Sequence, residues 1–124
     1  MKVEGKLKEV LKKEAPAAIV TTGKDEPHVV GTWNSYIQLV NDEKLLIPAG
    51  GMKETEENLK HGQDVIMLLG SREVPGKSGA GAGYRLSGHA SFETQGNDFE
   101  KVKSVHPWAR AAMVVDVTNY EQLT

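Results

Sequence analysis

The apolar runs of this chain are short, and polar or glycine-bearing turns separate them. That spacing limits the fold more than any other feature. Ala17 to Thr22 reads as a buried strand, closed by the turn Gly23-Lys24-Asp25-Glu26-Pro27. His28 to Val40 reads as one long strand bent at Gly31, and Asn41-Asp42-Glu43 turns it into Lys44 to Pro48. Val65 to Leu69, Tyr84 to Thr94 and Arg110 to Thr118 complete six strands. Val3, Leu7, Val10 and Leu11 form one stripe of a short amphipathic helix that Pro16 ends. A helix of about two turns follows the glycines at 50 and 51 and stops near His61-Gly62. A third helix spans Asn97 to Val105, with Asn97 as its cap. Short strands with turns between them suggest a small antiparallel barrel, mainly β, in one domain over residues 1–124.

Composition narrows the function. A formal net charge of −2 argues against a dedicated nucleic-acid binder, which carries a basic excess. No run approaches the roughly 20 apolar residues of a membrane span. The first residues open no secretory core, so a soluble cytoplasmic protein is expected. With no Cys, disulfides, thiolate metal sites and a Cys nucleophile are excluded. His28, His61 and His89 share no metal-ligand spacing, and with His106 they read as scattered surface histidines.

The chemistry concentrates at Pro48-Ala49-Gly50-Gly51-Met52-Lys53-Glu54-Thr55. A strand, a glycine turn and a helix N-terminus make an anion site, because the first helical N–H groups are unpaired and partly positive. Lys53 and Thr55 add a cation and a hydroxyl where a phosphate would sit. The plainer reading is a tight turn with Thr55 as an N-cap. In Thr32-Trp33-Asn34-Ser35-Tyr36, strand alternation puts Thr32, Asn34 and Tyr36 on one face and Trp33 and Ser35 on the other. A buried Asn must be bonded, by a ligand or at a β-bulge beside a core Trp. Trp108 is either an interface or ligand lid or a core residue capping the barrel. Ser71 to Gly83 holds four glycines and reads as a long, flexible loop.

Several strings occur in a fixed order: Pro27-His28-Val29-Val30, Thr32-Trp33-Asn34-Ser35-Tyr36, Pro48-x-Gly50-Gly51-Met52, Leu69-Gly70-Ser71-Arg72 and Trp108-Ala109-Arg110-Ala111-Ala112. Together they resemble the small FMN-binding proteins of the split-barrel flavoprotein superfamily, which includes pyridoxamine 5′-phosphate oxidase. The resemblance implies a six-stranded antiparallel Greek-key split barrel with short helices. It also implies a homodimer with one FMN per subunit near the interface. It places the phosphate around Gly50, Gly51, Lys53 and Thr55. It places the isoalloxazine against Thr32, Trp33 and Asn34 and the Pro48-Ala49-Gly50 backbone. Trp108 and Leu123 from the partner chain would close the pocket, and Glu14 matches an acidic position near the flavin.

One departure matters. The family string has Lys directly before Thr, whereas this chain has Lys53-Glu54-Thr55. Either Glu54 swings out and Lys53 takes over, or the phosphate leans on backbone N–H groups, Thr55 and Arg72. The function implied is FMN-dependent electron transfer with a redox partner protein. The alternatives are an NAD(P)H-dependent flavin reductase or a pyridoxamine-phosphate-oxidase-like enzyme.

Overall fold

The computed structural model describes residues 1–24 and 26–124. Asp25, in the first turn read from the sequence, lies outside the described residues. The strands are β1 (Pro16–Thr22), β2 (Pro27–Trp33), β3 (Gln38–Val40), β4 (Lys44–Ala49), β5 (Asp64–Pro75), β6 (Ala80–Glu93) and β7 (Ala111–Gln122). The helices are α1 (Lys6–Leu11), α2 (Lys53–His61) and α3 (Asn97–Val105). Pairing is antiparallel throughout, in the order β2-β1-β5-β6-β7-β4-β3.

The sheet curls on itself. Three strands lie between β1 and β4 in that order, yet Ile19 of β1 shares one core with Leu45 and Ile47 of β4. Alternation makes this core: Ile19, Val65, Met67, Leu69 and Leu86 point inward, and Val3, Leu7 and Val10 along the α1 segment pack among them. A second, smaller cluster joins α3 to the sheet through Val102, Leu46, Ala112 and Val114. β4 therefore buries both its faces, which explains its unbroken apolar run from Leu45 to Ala49.

Three expectations need correction. Among the described residues there are seven strands rather than six, because a 3₁₀ turn at Asn34–Tyr36 splits the long second strand into β2 and β3. The stretch read as a loop, Ser71 to Gly83, mostly continues β5 and β6, leaving residues 76–79 between them. Small residues here serve close backbone approach: a Cβ on Gly70, just before the stretch, would sit 3.1 Å from the carbonyl oxygen of Ala82 across the strands. Third, α3 has no side-chain cap from Asn97; Gly96 precedes the helix at φ 97°, and its carbonyl accepts from Glu100 N–H at 3.0 Å.

Candidate functional site

The glycine turn is pinned from β7. Arg110 N–H donates to the Ala49 carbonyl at 2.8 Å as β4 ends. Nε and Nη2 of Arg110 donate to the Gly51 carbonyl at 3.1 and 2.7 Å. Nη2 also pairs with Glu56 Oε1 at 3.0 Å, and the guanidinium lies over Phe92, 5.6 Å from the ring centroid. Gly50 sits under Trp108: a Cβ there would lie 3.3 Å from Cε3 and Cζ3 of the indole.

Met52 follows, left-handed at φ 60°, ψ 35°, and Lys53 begins α2. For a residue with a Cβ this conformation costs about 1–2 kcal/mol. A left-handed residue followed by a right-handed one turns successive N–H groups toward a common point, a concavity that fits an anion. Glu56 N–H, bonded to the Met52 carbonyl at 3.0 Å, is the first to bond back along the helix. The N–H groups of Lys53, Glu54 and Thr55 precede it and have no intrahelical acceptor. Thr55 is not the cap: it lies within α2, fully buried, and its Oγ1 has no partner among the described residues. Glu54 turns its carboxylate to His28 of β2, Oε2 to Nδ1 2.6 Å, while Lys53 remains exposed. Pro48 and Ala49, just upstream, are buried in β4.

The Trp33 segment breaks the alternation read from the sequence. Trp33 ends β2 opposite Pro16 and is 46% exposed, so it is not a core tryptophan. Thr32 is buried. Asn34 is fully buried, and its Nδ2 donates to the carbonyls of Lys13 (2.9 Å), Gly70 (3.0 Å) and Val10 (3.3 Å). The protein itself bonds the amide nitrogen and thereby ties the chain after α1 to β5, while Oδ1 has no partner among the described residues. Glu14 accepts from the N–H and hydroxyl of Ser35, and the hydroxyl bond, then the N–H bond, hold its carboxyl below the usual carboxylate range.

An open, mostly apolar groove of about 770 Å³ runs along the outer face of β2, β1 and β5. Arg72 and Thr124, the neighbour of Leu123, line it. Gly31, Ala18 and Leu68 form one cross-strand row on its floor, and the next row is Val29, Val20 and Ile66, of which Val29 also lines the groove. Val29 and Leu68 are exposed in the groove and Ile66 beside it, and Leu123, next to the lining residue Thr124, is exposed as well. The residues singled out from sequence therefore fall in three places, one of them the Glu14 and Thr32-Trp33-Asn34 segment. Gly50, Gly51, Lys53, Thr55 and Trp108 gather at the turn, whereas Arg72 and Leu123 lie at the groove.

Trp108 is 53% exposed, which overturns the core reading, and packs near Tyr36 and His106 with ring centroids at 5.8 and 5.4 Å. His106 is the buried exception to the scattered surface histidines. No cluster of three metal-ligating side chains occurs among the described residues. No helix is long and apolar enough to cross a membrane, among the described residues. Sequence reasoning missed Arg110 as a turn residue; its place two residues after Trp108 was the available signal.

The profile of the pyridoxamine 5′-phosphate oxidase family matches residues 3–123. The chain belongs to that family. Within the pyridoxamine 5′-phosphate oxidase family it is similar to an FMN-binding protein of Nitratidesulfovibrio vulgaris, 46% identical over 114 residues that cover 92% of this chain and 93% of the relative. Solved structures share the split-barrel fold of the family. HupZ of Group A Streptococcus superposes with a TM-score of 0.81 at 18% identity, over 98% of this chain and 94% of that one. An FMN-binding protein of Syntrophomonas wolfei gives 0.65 at 13% identity, over 87% and 76%.

Proposed function

We propose that this chain is an FMN-binding electron-transfer protein that works as a homodimer. One observation carries the flavin reading: the left-handed Met52 and the start of α2 leave a concave set of unpaired N–H groups, beside Lys53 and the unpartnered Thr55 hydroxyl. That donor set suits a phosphate, and the 46% identical relative bears the name FMN-binding protein. Lys53, with Glu54 drawn aside to His28, supplies the cation. Exposed Trp33 and the neighbouring Thr32 suit the flavin ring, with Pro48, Ala49 and Gly50 forming the backbone wall. Asn34 holds that segment in place, and Glu14, fixed by Ser35, keeps a negative charge beside it. Bound FMN supplies the redox chemistry; the protein binds and orients it.

The homodimer reading rests on the outer sheet face. Val29, Ile66 and Leu68 are about half exposed in adjacent rows, an apolar patch that a second copy would cover. With Arg72 and Leu123 at this groove and the turn elsewhere, a two-chain site unites residues that one chain keeps apart.

The tests are direct. Purified protein carries a flavin absorption spectrum, and mass analysis of the released cofactor gives FMN; FAD or a protein that stays colourless with added FMN refutes the reading. Light scattering gives a dimer at micromolar concentration. An electron carrier does not oxidise NADH with free FMN at a steady rate; sustained turnover would make it a flavin reductase.

A further inference from the structure

The proposed phosphate site is made of peptide groups, and peptide groups in a glycine turn are free to rotate. Something must choose which way they face. The Gly51–Met52 peptide is planar and trans, so its C=O and N–H point in opposite directions. Arg110 grips the C=O with two donors, Nε and Nη2. The N–H of Met52 is thereby turned away from Arg110. Two carbonyls, one on each side of Gly50, are held at once, because Arg110 N–H also bonds Ala49. Glu56, one turn into α2, pairs with the same Nη2 and so links the residue before β7, the turn and the helix. Glu56 and Arg110 are both only about a quarter exposed in their side chains, so the pair is sheltered. The guanidinium donors that face the turn are spent on Gly51 and Glu56, so Arg110 serves as a brace.

We infer that Arg110, steadied by Glu56, is the positioning residue that sets the anion-binding orientation of the turn at Met52 to Thr55. This rests on the proposal that the turn receives the FMN phosphate. Its signature is selective. A brace for the phosphate N–H groups affects FMN and leaves riboflavin, which has no phosphate, nearly untouched. A merely structural role lowers both affinities together.

The experiment titrates apo-protein with FMN and with riboflavin by flavin fluorescence quenching, in the parent, Arg110→Met, Arg110→Lys and Glu56→Gln. Arg110→Met is expected to raise the Kd for FMN roughly 10- to 100-fold, the scale seen when an outer partner of a binding group is lost. The riboflavin Kd is expected to change less than about threefold, since the ring contacts stay in place. Arg110→Lys recovers only part of the loss, because an ammonium cannot fork to Gly51 and Glu56 as a guanidinium does. Glu56→Gln moves in the same direction by a smaller factor. If Arg110→Met fails to fold, the other two variants carry the test. Equal losses for both ligands, or none for either, overturn the inference. If the parent itself binds FMN and riboflavin alike, it is the phosphate reading of the turn that fails; a parent that discriminates, with Arg110 variants that discriminate equally, sinks the brace alone.

Discussion

Asn34→Asp tests how the site is held. Asn34 is fully buried, and its amide nitrogen faces three carbonyls, from Val10, Lys13 and Gly70. Replacing it with Ala removes these bonds and leaves the carbonyls short of partners. At about 1–3 kcal/mol for each unmade buried bond, with the two shorter ones dominating, the loss is about 3–5 kcal/mol. That is a large part of a total stability of about 5–15 kcal/mol. At about 2–8 °C per kcal/mol, the Tm falls by at least about 6 °C. Asn34→Asp keeps the shape but sets an oxygen where the donor was. At neutral pH it should destabilise more than Asn34→Ala, because a carboxylate then faces carbonyls in a dry site. Burial raises that carboxyl's folded pKa above its unfolded value of about 3.9. The penalty is therefore full above the folded pKa and fades as pH falls toward the unfolded value. Urea denaturation of parent and both variants at pH 7 and pH 5 reads this out. An Asn34→Asp protein no less stable than Asn34→Ala at pH 7, with no relative gain at pH 5, would show that the amide nitrogen is not the group facing those carbonyls.

Other outcomes follow from neighbouring contacts. Ser35→Ala should raise the Glu14 pKa toward the ordinary carboxylate range, read by NMR titration; with the folded pKa held low in the parent, this contact adds stability above the unfolded pKa that is lost as pH falls through the folded one. No change in the Glu14 titration would contradict it. Gly50→Ala should push the half-exposed Trp108 ring aside rather than unfold the chain, seen as a shifted tryptophan emission with a stability cost of about 1 kcal/mol or less. Gly88→Ala is a contrast: its Cβ would meet the Asp116 backbone oxygen at 2.6 Å, so thermal melting should show a loss of about 1–3 kcal/mol or more. Lys53→Ala should weaken FMN about tenfold or more and riboflavin little, on the scale of one charge-assisted phosphate contact; equal FMN titrations of variant and parent would make Lys53 an ordinary surface residue.

Much of this fold is legible in hydrophobic spacing, and the places where it is not share a cause. β1, β4 and α2 follow local periodicity and turn chemistry, so their residues announce them. The break at Asn34 does not, because it depends on carbonyls 21, 24 and 36 residues away in the chain. The extension of β5 and β6 through Ser71 and Gly83 is hidden by small residues whose purpose is close approach across the pair. At the site, the glycine turn and its helix are visible as a motif. The left-handed Met52, the Glu54–His28 pair and the Arg110 brace are not, since each depends on a partner from another element or on a backbone angle no pattern encodes.

The position of β7 has a consequence for how the molecule comes together. It is last in the described chain, yet it lies between β6 and β4. Until it arrives, β3 and β4 form a lone hairpin with no ladder to the rest, and a two-stranded piece is barely stable in water. β1, β2, β5 and β6 can zip up earlier from one side. Its pairing with β4 bridges residues 44 and 116, a loop that must close against its entropy before it gains anything. The docking of the final strand is thus the step that closes this long loop. The same event brings Arg110 to Gly51, so the turn is pinned only once β7 has docked on β4.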